Sequence, residues 1–210
     1  MTRQRPLTRP QTQPASPARR RLLGGALAAA AGLPLLARAQ HEHHEAEAEV
    51  KVSSADYQVP RLQLVREDGR PAAFPAELDD GRVVMLNFIF TTCTAICPVT
   101  SQVFTEAQGL LKANLAKVHL MSVSIDPDND TPARLREYAK RFSAGPQWNH
   151  YTGTLAASVA LQKAFNAYRG DKMNHQPTTF LHKPGQSQWT RVDGFAPPSE
   201  LAARVRAMLA

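Results

Sequence analysis

The chain has 210 residues, 43% of them hydrophobic and 20% charged, which is enough for one domain with a real core and a short appendage. Its net charge of +7 is not spread over that domain. Seven of the 25 basic residues are arginines within residues 1–39, which hold no acidic residue, and the 18 that remain match the 18 acidic ones. That balance argues against nucleic acid as a partner, because a nucleic-acid binder keeps its basic surface on the folded domain.

The amino terminus reads as an export signal over residues 1–39. Arg19, Arg20 and Arg21 stand directly before an apolar run from Leu22 to Leu36, and the segment closes on Ala37-Arg38-Ala39, a small-x-small cleavage pattern. The run is short of the roughly 20 apolar residues of a membrane span. Paired arginines before a mild apolar core match the twin-arginine route, which places the mature protein in the periplasm. A signal left uncleaved would hold the protein at the outer face of the inner membrane. Residues 40–56 follow as a flexible tail rich in His, Glu and Ala, with His41, His43 and His44 as loose metal-binding candidates.

Residues 57–210 have the pattern of a compact domain. Leu62 and Leu64 alternate with polar neighbours up to a Glu67-Asp68-Gly69-Arg70 turn, the pattern of a hairpin strand. Val83 to Phe90 is a nearly continuous apolar run, as in a central strand buried on both faces. Helical spacing runs from about Pro98 to Lys112, and Val118 to Ile125 reads as a second buried strand. Asp130-Thr131-Pro132 opens a helix that continues to about Phe142, since a capping residue precedes proline in the first turn. A third helix is predicted over Leu155 to Ala167. Strands at Thr178–Leu181 and Gln188–Val192 follow, and a closing helix spans Pro198 to Leu209. This order predicts an α/β sandwich of thioredoxin type, a central mixed sheet flanked by helices.

Cys93 and Cys97 are the two cysteines of the chain, and they fall where the buried strand gives way to the first helix. On a helical turn, residues four apart share a face, so the pair can close a disulfide or grip one soft metal ion. The helix amino terminus favours thiolate over thiol. His175, just before the Thr178–Leu181 strand, is the best third ligand, and two thiolates with one imidazole suit copper. His119, His150 and His182 lack such placement and read as structural or surface residues. A thiol peroxidase would want threonine three residues before the reactive cysteine, and Phe90 stands there.

These pieces resemble the Sco/SenC family of thioredoxin-fold copper proteins over about Tyr57 to Leu209. The resemblance rests on the C-x-x-x-C-P of Cys93 to Pro98, on Ser124-Ile125-Asp126-Pro127 through Pro132, and on His175 before the late strand. It implies that Cys93, Cys97 and His175 bind a copper ion. It also implies a chaperone role in assembling the CuA centre of cytochrome c oxidase, with subunit II or another copper-site protein as partner. Asp126 falls on the family's acidic position near the site. Pro177-Thr178 is similar to the cis-proline motif of thiol-disulfide oxidoreductases, so the alternative is an enzyme that reduces the cysteines of an exported copper-site protein, with Cys93 and Cys97 as its redox pair. Export itself is testable: Arg20→Lys with Arg21→Lys should leave unprocessed chain in the cytoplasmic fraction, whereas unchanged export would remove the twin-arginine assignment.

Overall fold

The protein is described here by a computed structural model, in which residues 50–210 are defined; the signal segment and residues 40–49 of the tail lie outside the described residues. The strands are β1 (Lys51–Asp56), β2 (Leu62–Arg66), β3 (Pro71–Phe74), β4 (Val83–Ile89), β5 (Val118–Ser124), β6 (Trp148–Thr152), β7 (Thr178–His182) and β8 (Gln188–Asp193). The helices are α1 (Ile96–Leu111), α2 (Pro132–Arg141), α3 (Leu155–Ala164) and α4 (Pro198–Leu209). All eight strands join one mixed sheet in the order β1-β8-β7-β4-β5-β6-β2-β3.

The two apolar runs form the centre. β4 and β5 are buried at every residue and pair in parallel, from Val83 against Val118 to Ile89 against Ser124. Burial on both faces explains why they read as continuous rather than alternating runs. Alternate side chains of β4 enter different cores. Val83 and Met85 pack with Phe104 and Leu111 of α1 and with Leu201 and Val205 of α4. Val84, Leu86 and Phe88 pack with Leu161 of α3 and with Phe165. Truncating a fully buried ring such as Phe104 to alanine in such a core costs about 3–5 kcal/mol.

Helix starts follow local chemistry. Thr131 caps α2 by accepting from the Arg134 N–H at 3.3 Å, with proline in the first turn. Thr154 caps α3 through the Ala157 N–H at 3.1 Å. That helix ends at Ala164, earlier than the sequence pattern suggests, because Asn166 adopts a left-handed conformation at φ 50°.

Two strands escape the sequence pattern. Residues 51–56, grouped with the flexible tail, form β1 and pair antiparallel with β8, so the folded domain starts before Tyr57. No residue of β1 is buried, so the strand has no apolar alternation to read; its place is set by the backbone edge that β8 offers. β6 was hidden by its polar residues. Its five residues are all buried, and Glu67 receives both the Asn149 amide, at 3.2 Å, and the His150 N–H, at 2.7 Å. The histidines read as structural or surface residues prove buried: His119, His150 and His182 are all inside.

His150 is fully buried, stacked on Trp148 at 5.2 Å between ring centres, and neither ring nitrogen has a hydrogen-bond partner. Burial alone pulls its pKa down to about 3. The unfolded chain therefore binds a proton near pH 6.5 that the folded chain refuses until about pH 3. Stability from this group is complete above pH 6.5 and is lost as pH falls toward 3. Between pH 7 and pH 5 the loss should be on the order of 2 kcal/mol. Urea unfolding at both pH values should show that the parent loses this much more than His150→Phe; equal losses would refute the assignment.

Candidate functional site

The pairing of the sheet sets the site. β4 runs parallel to β5 and antiparallel to β7, whose Phe180 and Thr179 pair with Leu86 and Asn87. The carboxyl ends of β4 and β5 and the amino end of β7 therefore meet at one edge. From these three ends come Cys93 with Cys97, Asp126, and His175.

Cys93 lies in the loop between β4 and α1, and Cys97 lies in the first turn of α1. Ala95 caps the helix without a side-chain hydrogen bond, which leaves orphan N–H groups at its start. The Cys93 sulfur fills this role, accepting from the Cys97 N–H at 3.4 Å. Burial raises the Cys93 thiol, but the Cys97 N–H and thiol and the Ala95 and Ile96 N–H groups outweigh it, and its pKa ends below the ordinary range. Cys97 is the opposite case. It is fully enclosed, and burial pushes its thiol far up, with negative charge at Cys93 and Asp130 adding to the rise. Both cysteines are free thiols here.

His175 follows a short 3-10 turn, Lys172–Asn174. Its Nε2–H donates to the Phe88 carbonyl of β4 at 2.9 Å, which leaves Nδ1 with the lone pair. Burial, with Arg169 nearby, lowers its pKa against the effect of the Phe88 bond, so the ring is neutral at physiological pH, as a metal ligand must be. Cys93 and His175 line one pocket of about 100 Å³, together with Phe90, Ile96, Lys172 and Met173.

A chain of polar contacts ties the loops together. Buried Asp130 accepts from the Thr91 N–H at 3.2 Å, the Thr91 hydroxyl at 2.5 Å and the Ser124 hydroxyl at 2.6 Å. Ser124 Oγ in turn accepts the Asp126 N–H at 3.0 Å, and Asp126 binds Lys172 Nζ at 2.6 Å. The strand before Cys93 and the turn before His175 are thus joined through the end of β5. The sequence placed Asp130 at a helix start and left Lys172 and Met173 without a role. The partners of Asp126 and Asp130 lie up to 46 residues away, so no local pattern reveals them.

Of the three sequence-predicted ligands, Cys93 and His175 share the pocket, and Cys97 is buried and does not line it. Among the described residues no three His, Cys, Asp or Glu side chains sit at ligating separation. The donor set, two sulfurs and a neutral imidazole, has the softness copper prefers. The cis-proline parallel fails. The one cis peptide among the described residues joins Phe74 and Pro75, and the Gln176–Pro177 bond is trans. Pro177 leads straight into the sheet, its carbonyl accepting the Gly194 N–H at 2.9 Å, and His175 faces the Cys93 pocket instead.

The fold and the paired thiols at a strand-to-helix junction define a thioredoxin-like dithiol protein. More narrowly, the SCO1/SenC family model matches residues 51–210, and the chain belongs to that family. The SCO1 protein homolog of Bacillus subtilis is 30% identical over 137 residues, 61% of this chain and 70% of that one. A Stutzerimonas stutzeri protein named for copper binding is 34% identical over 107 residues, and this chain spans about half its length, 50%. The solved structure of BsSco, a member of the Sco family of cytochrome c oxidase assembly proteins in which a disulfide switch was identified, matches with a TM-score of 0.63 and 27% identity. That match covers 74% of this chain and 95% of BsSco. No described helix is long and apolar enough to cross a membrane.

The two thiols should differ in reactivity. In the reduced protein at pH 7, iodoacetamide should alkylate Cys93 at least ~10 times faster than Cys97. Peptide mass spectrometry reads the two rates, and equal rates would contradict the burial asymmetry.

Proposed function

We propose that this chain binds copper through Cys93, Cys97 and His175 and delivers it to the CuA centre of cytochrome c oxidase during assembly. The recipient is subunit II or another copper-site protein. Residues 1–39 export it to the periplasm, where an oxidising environment makes a reversible Cys93–Cys97 pair meaningful. The observation that carries the reading is the shared pocket: the activated Cys93 sulfur and the neutral His175 ring open into one space at the edge of β4. The relatives named for copper binding and for oxidase assembly support the choice of metal and pathway.

Each residue has a distinct task. Cys93 offers a thiolate at little cost because the start of α1 stabilises its charge. Cys97 must lose a proton to bind, so metal affinity should fall as pH drops. His175 is kept neutral and near β4 by Phe88. Copper would supply nothing catalytic; it is the cargo.

A second reading is favoured by the unequal thiols. A thiol-disulfide reductase uses a low-pKa sulfur to attack and a protected one to resolve. The Cys93 thiolate would attack a partner disulfide, forming a mixed disulfide and releasing one partner thiolate. Deprotonated Cys97 would then attack Cys93, closing the Cys93–Cys97 disulfide and releasing the second thiol, with two electrons passed to the partner.

His175→Ala separates the two. It should weaken copper(II) binding by at least ~100-fold and copper(I) binding less, because two thiolates alone can hold the softer ion. Exchange of the Cys93–Cys97 pair with a small dithiol should change by less than about threefold, since the thiols and helix terminus remain. If His175→Ala binds both copper states like the parent, the copper site is wrong and the reductase reading takes its place.

A further inference from the structure

We propose that the Met173 thioether is an additional, outer copper(I) ligand through which the ion enters and leaves the Cys93 site. This inference rests on the copper-binding reading above.

Three observations carry it. First, Met173 is 73% exposed, the most exposed of the large hydrophobic side chains among the described residues. Methionine normally fills cores, as Met85 and Met121 do here with no exposure. Second, this exposed side chain is not on a random face. It lines the same small pocket as Cys93 and His175, on the turn immediately before His175. Third, that turn is held in place. The Met173 N–H donates to Asp171 Oδ1 at 2.8 Å, the His175 N–H to the Lys172 carbonyl at 3.1 Å, and Lys172 is fixed to Asp126. An apolar side chain kept in water on an ordered turn beside a dithiol has no packing explanation.

Depth in the pocket gives the order of events. Cys97 is fully buried and absent from the pocket lining, whereas Cys93 is half-buried and Met173 is open to solvent. The first sulfurs an incoming ion meets are therefore those of Met173 and Cys93. A pocket of about 100 Å³ has room for an ion and a water or two, and not for a bulky carrier. Thioethers select copper(I) and bind copper(II) poorly. The metal keeps its oxidation state throughout: the Cys93 proton goes to solvent, the neutral thioether only lends a lone pair, and later exchanges that place with His175 or Cys97. On delivery the order reverses, and the thioether is the last donor the recipient displaces.

The test uses the mature full chain, reduced, with Met173→Leu, which preserves volume and apolar character at an exposed position and so should not disturb folding. Competition with the copper(I) chelator bathocuproine disulfonate should show copper(I) affinity down by about tenfold and transfer to the chelator altered, while copper(II) affinity stays within about twofold. Selenomethionine labelling gives a direct readout, since the selenium-edge absorption spectrum of the copper(I) protein should contain a copper neighbour that Met173→Leu abolishes. Copper(I) binding by the parent with no selenium–copper contact, and a Met173→Leu affinity equal to the parent's, would overturn the outer ligand alone and leave the Cys93–Cys97–His175 site standing. Failure of the reduced parent to bind copper would overturn both.

Discussion

A strand with a parallel neighbour on one side and an antiparallel neighbour on the other gathers chain ends of opposite sense at one edge. β4 is such a strand, and the site depends on it. Its register with β5 brings Ile89 level with Ser124, and its pairing with β7 brings Asn87 level with Thr179. The three connections that leave or enter there must then share a small volume, although 82 residues separate Cys93 from His175. The complete burial of β4 and β5 is what makes this pairing firm, since a slip by one residue would exchange the contents of the two cores.

The second requirement is that loops at that edge stay ordered, and buried polar groups do this. Asp130 is wholly enclosed yet accepts from a backbone N–H and two hydroxyls, so its charge is compensated rather than stranded. Through Ser124 and Asp126 the same network reaches Lys172, whose ammonium also sits 5.5 Å from the Phe90 ring. The Cys93 loop and the His175 turn are thereby anchored to one scaffold.

The two sulfurs show how position on a helix start separates chemically identical groups. Cys93, just before the helix, accepts the Cys97 N–H and is half-exposed; Cys97, in the first turn, is fully enclosed. Burial raises the Cys97 thiol, whereas at Cys93 the N–H groups of the helix start outweigh burial and lower it. Metal binding and disulfide exchange would both draw on this asymmetry, which is why a test at His175 rather than at the cysteines separates them.

Several features were legible in the sequence because they are local. The apolar runs of β4 and β5, the Thr131-Pro132 helix start, the Glu67–Arg70 turn of the hairpin and the C-x-x-x-C-P junction each depend on residues within a few positions of one another. Burial on both faces and capping leave direct traces in composition, and the position of His175 just before a strand is equally local. Other features could not be read, because the determining partner is remote. β1 carries no apolar alternation, and β6 is polar yet buried, its Asn149 amide and His150 N–H taken up by Glu67, some 80 residues earlier. The trans bond at Pro177 contradicts a dipeptide pattern, since the register of β7 against β8 decides how that segment enters the sheet. The sequence by itself determined the two central strands, the helix starts and which residues can carry soft-ligand chemistry. Only the tertiary structure decided that Cys93, Met173 and His175 open into one pocket that Cys97 does not line, because hydrogen bonding across the sheet, not spacing along the chain, brings those segments together.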